Sequence, residues 1–114
     1  MARDPALEDR LHAALAGVEG LAWMPMMGGV CVMLNGHMLC AADRPRGGGA
    51  RLMVRIGRDA ATEAVASGQA AAVEVGSRRM AAFVRIPAAA GDDAALRAWL
   101  ARAQAHVATL PPKG

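Results

Sequence analysis

Apolar positions along this chain change their period several times, and each change predicts an element. Asp4-Pro5 has the form of a helix start, a capping carboxylate followed by proline at the first helical position. Leu7, Leu11, Leu15 and Val18 then recur at helical spacing and form one stripe. Gly17 and Gly20 end that helix. Leu21 to Gly29 shows no regular period and reads as an irregular, methionine-rich crossing. From Val30 to Ala41 two apolar runs flank Asn35-Gly36, the strongest short-range hairpin signal, because both central residues of a type I′ turn need positive φ.

A two-residue turn sets the register of that hairpin. It pairs Leu34 with His37, Met33 with Met38, Val32 with Leu39 and Cys31 with Cys40. Side chains alternate between the two sides of a strand, so Val30, Val32, Leu34 and Leu39 share one side and Cys31, Met33, Met38 and Cys40 the other. Neither side is suited to water.

Asp43 to Ala50 is a loop with Pro45 and three consecutive glycines. Arg51 to Ile56 alternates, with Leu52, Val54 and Ile56 on one side and Arg51, Met53 and Arg55 on the other. Asp59 begins a short helix that Gly68 closes. Ala71–Val75 and Met80–Ile86 predict a second hairpin around Gly76-Ser77-Arg78-Arg79, in which Ala82, Val84 and Ile86 oppose Ala81, Phe83 and Arg85; Pro87 stops it. Gly91-Asp92-Asp93 opens a last helix, with acidic residues where the helix dipole favours them. Leu96, Trp99, Leu100, Ala103, Val107 and Leu110 form its stripe, and Pro111-Pro112 ends it. The order is helix, three strands, helix, two strands, helix. It predicts a two-layer α+β domain, with a five-stranded antiparallel sheet whose helices cover one face.

The 114 residues argue for one domain over 1–114, large enough for a core without disulfides or metals. Thirteen Lys+Arg against ten Asp+Glu give a net charge of +3, compatible with nucleic-acid binding but no argument for it. Lys113 is the sole lysine, and with the many alanines this usage reads as the mark of a GC-rich genome. No run of roughly 20 apolar residues is present to span a membrane, and Met1-Ala2-Arg3-Asp4-Pro5 lacks the apolar core of a signal peptide. A cytoplasmic protein with reduced thiols is expected.

Met26-Met27-Gly28-Gly29-Val30, then Met33-Leu34-Asn35-Gly36-His37-Met38-Leu39-Cys40 and Leu52-Met53-Val54-Arg55-Ile56-Gly57, resemble the N-terminal domain of the TfoX/Sxy competence-regulator family. Gly76 through Phe83-Val84 is similar to that family's Gly-Arg-Pro-Met…Phe-Val segment. Leu96-Arg97-Ala98-Trp99-Leu100 and Leu110-Pro111-Pro112-Lys113 resemble its closing helix and tail. The resemblance spans nearly the whole chain. It implies an α-β(3)-α-β(2)-α fold similar to secretion chaperones, the order the pattern gives by itself. Three features depart from the family: Met27 stands where it has phenylalanine, Gly47–Gly49 looks inserted, and no counterpart of the second domain of full-length TfoX proteins follows. The resemblance therefore implies a stand-alone first domain, and it transfers no catalytic residue.

Tested for chemistry, the chain offers little. Cys31, Cys40 and His37 are the only cluster with metal-ligating character, but His37 falls on the opposite side of the ribbon from Cys40, and two thiols do not complete a zinc site. Cys31 and Cys40 at a non-hydrogen-bonded pair would have Cα atoms about 4.5 Å apart, at the short edge of disulfide geometry. A redox-responsive bridge is thus feasible, against the competing reading of two small buried hydrophobes. Ser67 and Ser77 sit in no nucleophile elbow. His12, His37 and His106 lie on two helices and at a strand start, positions where a histidine is usually solvated or packed. The glycine runs lack the Lys-Ser/Thr of a phosphate loop. No catalytic residue, cofactor or metal is expected.

Two function classes follow. The first is a non-catalytic interaction domain that binds a protein, a second copy being the simplest partner. Its surface would be the sheet side of Cys31, Met33, Met38, Cys40, Met53 and Phe83, an exposed methionine-rich patch. The competing expectation is that the Trp23–Met27 segment folds over that side and fills it. The second class is a nucleic-acid-associated regulator that uses Arg51, Arg55, Arg78, Arg79 and Arg85. That class suffers from a shortage of aromatics for base stacking, since the chain has one phenylalanine, two tryptophans and no tyrosine.

Overall fold

The computed structural model describes residues 2–26, 28–86 and 92–112. Met27, Pro87, Gly91 and Lys113, expected to contribute a strand lead-in, a strand stop, a helix start and a tail, lie outside the described residues. The elements are α1 (Pro5–Ala14), β1 (Leu21–Met26), β2 (Gly29–Leu34), β3 (His37–Asp43), β4 (Arg51–Arg55), α2 (Arg58–Ala66), β5 (Ala71–Val75), β6 (Arg78–Ile86) and α3 (Asp93–Val107). The described strands form one six-stranded antiparallel sheet in the order β1-β2-β3-β4-β6-β5. The α+β class and the order of elements hold, with one strand more than the pattern gave.

That strand is β1. Leu21–Met26 is not an irregular crossing but an edge strand, paired with β2 from Leu21↔Leu34 to Met26↔Gly29. Pro25 sits in it without breaking the sheet because an edge strand has one side free of ladder partners. The segment therefore widens the sheet instead of folding over its face. Trp23 points to the helix side and stacks on His12 of α1, ring centroids 3.7 Å apart and 18° from parallel.

Local chemistry places the helices where the pattern put them. Asp4 caps α1, its carboxylate accepting from the Leu7 amide at 2.9 Å, and Pro5 occupies the first turn. Asp92 caps α3 through the Ala95 amide at 2.8 Å. Leu7, Leu11 and Leu15 from the first helical segment join Ala61 and Ala64 of α2 and Leu96, Leu100, Ala103 and Val107 of α3 in one core. They pack on Val30, Val32, Leu34, Leu52, Val54, Ile56, Val84 and Ile86, the strand positions that alternate toward the helices. One cross-strand row, Trp23, Val32, Cys40, Val54, Val84 and Ala72, crosses all six strands on this side. Its four central members are fully buried.

The first hairpin turns as expected, with φ of 52° at Asn35 and 84° at Gly36. Its register does not run on as expected. Leu34↔His37 and Met33↔Met38 pair, but the next pair is Val32↔Cys40, followed by Cys31↔Ala41. Leu39 is the extra residue of a β-bulge, and a bulge sets two successive side chains against one on the partner strand. Leu39 and Cys40 accordingly both lie in the helix-side core, each at 0% exposure. The second hairpin is also tighter than the pattern suggested. Val75 pairs with Arg78 across Gly76-Ser77, so Arg78 and Arg79 begin β6 instead of forming the turn.

Glycine is required at one further point. A Cβ at Gly29 would run into the Ala42 carbonyl of β3, so only glycine lets β2 start this close to its neighbour. His37 ties the hairpin to the end of the chain. Its Nε2 lies 2.6 Å from the Pro111 carbonyl, which can only accept, so this ring nitrogen donates.

Candidate functional site

The sheet side away from the helices is organised by the row next to the core row. Met24, Cys31, Ala41, Met53, Arg85 and Ala71 are paired in sequence across all six strands. Strand alternation places Met26, Met33, Arg51, Arg55 and Phe83 on the same side. Met53, Val73 and Phe83 form a second, smaller apolar cluster, with Met38, Ala41, Met80 and Ala82 packed around it. No helical residue belongs to this cluster.

Five of the six expected surface residues are brought together here, and one is not. Cys31, Met33, Met38, Met53 and Phe83 lie on this face. Cys40 lies on the other, because the Leu39 bulge reverses its side. The same shift removes the facing cysteine pair: Cys31 opposes Ala41, Cys40 opposes Val32, and both thiols are free. The Cys31 thiol instead donates to the Met33 sulfur at 3.5 Å. Burial pushes the Cys31 thiol up, and burial together with nearby Cys31 pushes Cys40 far up, so neither is a ready thiolate.

The face is less exposed than an open methionine patch would be. Cys31, Met53 and Phe83 are buried, and Met33 and Met38 are half-buried. The large apolar side chains left in water, among the described residues, are Met24 at 51%, Met26 at 38% and Val75 at 40%. All three belong to the two edge strands, β1 and β5. The central strands bury their own apolar side chains against one another, and the edges carry what remains.

Arginines frame the cluster. The Arg55 guanidinium stands 5.5 Å over the Phe83 ring, and its Nε is buried with no hydrogen-bond partner. Arg51 grips Asp43 across β3 and β4 through Nε–Oδ1 at 2.6 Å and Nη2–Oδ2 at 3.1 Å, which holds its guanidinium firmly protonated. Arg85 makes no hydrogen bond or close ion pair with a described residue; burial, then the neighbouring Arg51 cation, lower its pKa, partly offset by Asp43. Arg78 and Arg79 are exposed at the start of β6. Of the five arginines, then, three share the helix-free face and two sit at the hairpin tip.

A cavity of about 320 Å³ opens on this face where Met26 of β1 approaches the β5–β6 turn. No pattern of residues along the chain points to it. Its lining comes from all six strands, so it depends on pairings between segments far apart in the sequence. Elsewhere, Trp99 is covered by the Arg102 guanidinium at 4.7 Å and Trp23 by His12. Among the described residues no three His, Cys, Asp or Glu side chains gather as metal ligands would. Among the described residues no helix is long and apolar enough to cross a membrane.

Comparison with known proteins agrees with the motifs. No curated protein and no solved structure matches the chain. The family model for the TfoX N-terminal domain matches residues 13–107, which takes in every described strand, α2, α3 and the last two residues of α1. The chain belongs to the TfoX N-terminal domain family.

Proposed function

We propose that this chain is a small, non-catalytic regulatory domain that works by holding a protein partner on the helix-free face of its sheet. The observation that carries the reading is the row Met24–Cys31–Ala41–Met53–Arg85, which runs across the sheet with no helix packed on it. Membership of a family of competence regulators supports the regulatory part. Methionine supports the binding part: a flexible, polarisable side chain adapts to a partner's shape, and Met24 and Met26 are exposed on the edge strand β1. An adjoining guanidinium whose Nε lacks a partner, that of Arg55, adds a polar group that a bound chain could satisfy.

Purification from the native host tests this. The wild-type domain should retain a specific partner, or a second copy of itself in sedimentation at micromolar concentration. The M24E/M33E/M38E variant, shown folded by circular dichroism, should lose it. Equal retention by the variant contradicts the reading.

A nucleic-acid-associated role is the second reading, favoured by Arg51, Arg55 and Arg85 sharing one face beside Arg78 and Arg79. Against it, Arg51 is occupied by Asp43, Phe83 is buried under Arg55, and both tryptophans are covered, which leaves no aromatic platform for a base. Binding of DNA or RNA that falls steeply with salt, and is lost on replacing the five arginines together, would favour it.

A further inference from the structure

The cavity between Met26 and the β5–β6 turn has its own chemistry. Met26, Ala41, Met53 and Val75 give it apolar walls, and its volume of about 320 Å³ lies at the lower end of the range for small-molecule sites, roughly 300–1,000 Å³. Exposed Met26 and Val75 stand at its mouth. Two arginines reach it. One, Arg51, is neutralised by Asp43. The other, Arg85, pairs with Met53 in the sheet and so sits beside the apolar floor without a close anionic partner among the described residues. The remaining charged residue at the rim, Glu74, is exposed, where water screens it.

We infer that this cavity is a binding site for a small apolar monocarboxylate, whose carboxylate pairs with the Arg85 guanidinium and whose hydrocarbon body lies against Met26, Ala41 and Met53. A guanidinium is built for this pairing, offering two parallel N–H donors to the two carboxylate oxygens. The charge is already partly withdrawn from water, which is why the depressed Arg85 pKa accompanies the geometry. A bound carboxylate removes that penalty. The volume limits the body to a short chain or a single ring. A dianion such as phosphate has no use for the apolar walls, and a neutral alcohol leaves Arg85 as it was. The site goes beyond the partner-binding reading, since it is one end of the face and needs no second protein.

Methionine-methyl NMR with sodium octanoate, 1-octanol and octylamine tests it. Octanoate should give saturable shifts at Met26 and Met53. Octanol should bind at least about tenfold more weakly, as expected for loss of a charge-assisted pair, and octylamine not at all. R85M should weaken octanoate by about tenfold or more with its methyl spectrum otherwise unchanged; R85Q serves the same purpose if R85M is misfolded, and R85K, which keeps the charge but not the paired donors, should fall between wild type and R85M. Octanol binding as well as octanoate, affinity unchanged in R85M and R85Q, or no saturable shift in the wild type would each overturn the assignment. The partner test above uses Met24, Met33 and Met38, none of which lines the cavity, so the two readings fail separately.

Discussion

Replacing Asp4 with alanine should destabilise the domain by about 2 kcal/mol, in two parts of different origin. Asp4 is nearly fully buried, at 3% exposure, and its carboxylate does two jobs. Oδ1 accepts from the Leu7 amide and caps α1, a contact worth about 1 kcal/mol. Oδ2 accepts from Arg44 Nε at 2.9 Å and Nη2 at 2.7 Å, clamping α1 to the end of β3 beside the Ala2↔Arg44 bridge. The Arg44 side chain is 56% exposed, so solvent screens the pair and it adds only about 1 kcal/mol. D4N keeps an oxygen for the cap and should cost about half as much. The coupling between D4A and R44A in a double-mutant cycle should be about 1 kcal/mol. The hydrogen bonds hold the Asp4 carboxyl below its ordinary range, the Leu7 amide most and then Arg44. A carboxyl depressed in the folded state gives its full contribution above its unfolded value, about 3.9. That contribution is lost as pH falls through the folded value. The wild-type advantage over D4A, measured by urea unfolding, should therefore be full at neutral pH and shrink below about pH 4. An advantage under about 0.5 kcal/mol at neutral pH, or one that does not shrink in acid, would refute this account of the N-terminal clamp.

Other consequences can be measured on the same protein. Two thiols should titrate only after denaturation, and diamide should not cross-link Cys31 to Cys40, because the bulge sets them on opposite faces; an intramolecular bridge would contradict the register. C40S puts a hydroxyl at a fully buried site in the apolar core and should cost about 1–3 kcal/mol in denaturant unfolding, more than C31S. G29A, whose Cβ meets the Ala42 carbonyl, should cost about 2 kcal/mol or more in thermal or urea unfolding. H37A removes the donor to the Pro111 carbonyl and should cost about 1 kcal/mol, with faster amide exchange at the end of α3.

Elements that follow from local rules could be read from the residues alone. The caps at Asp4 and Asp92, the buried leucines of the first and last helical stripes, the Asn35-Gly36 turn and the alternation of Leu52, Val54, Val84 and Ile86 all appear in the structure where the pattern puts them. Besides the tighter second turn at Gly76-Ser77, two features did not follow. The β1 strand escaped because Leu21 to Met26 are all apolar, so no alternation of polar and apolar residues marks its two faces. The bulge at Leu39 has no local signature: Leu39 and Cys40 are both apolar and suit either side of a strand, so only packing against the helices decides. Its effect was confined but chemical, since one shifted residue took Cys40 out of the candidate surface. Arg51, Arg55 and Arg85 could be assigned to the second face from alternation. That Arg51 is bound to Asp43 while Arg85 is left beside a cavity depends on register between strands far apart in sequence.

Peroxide footprinting of the methionines, with and without the captured partner, tests the central claim most directly. In the free domain Met24 and Met26 should oxidise first, Met33 and Met38 more slowly and buried Met53 last. The partner should protect Met24, Met33 and Met38 together. Unchanged oxidation at these three in a complex that has demonstrably formed would place the partner elsewhere and contradict the assignment of the helix-free face.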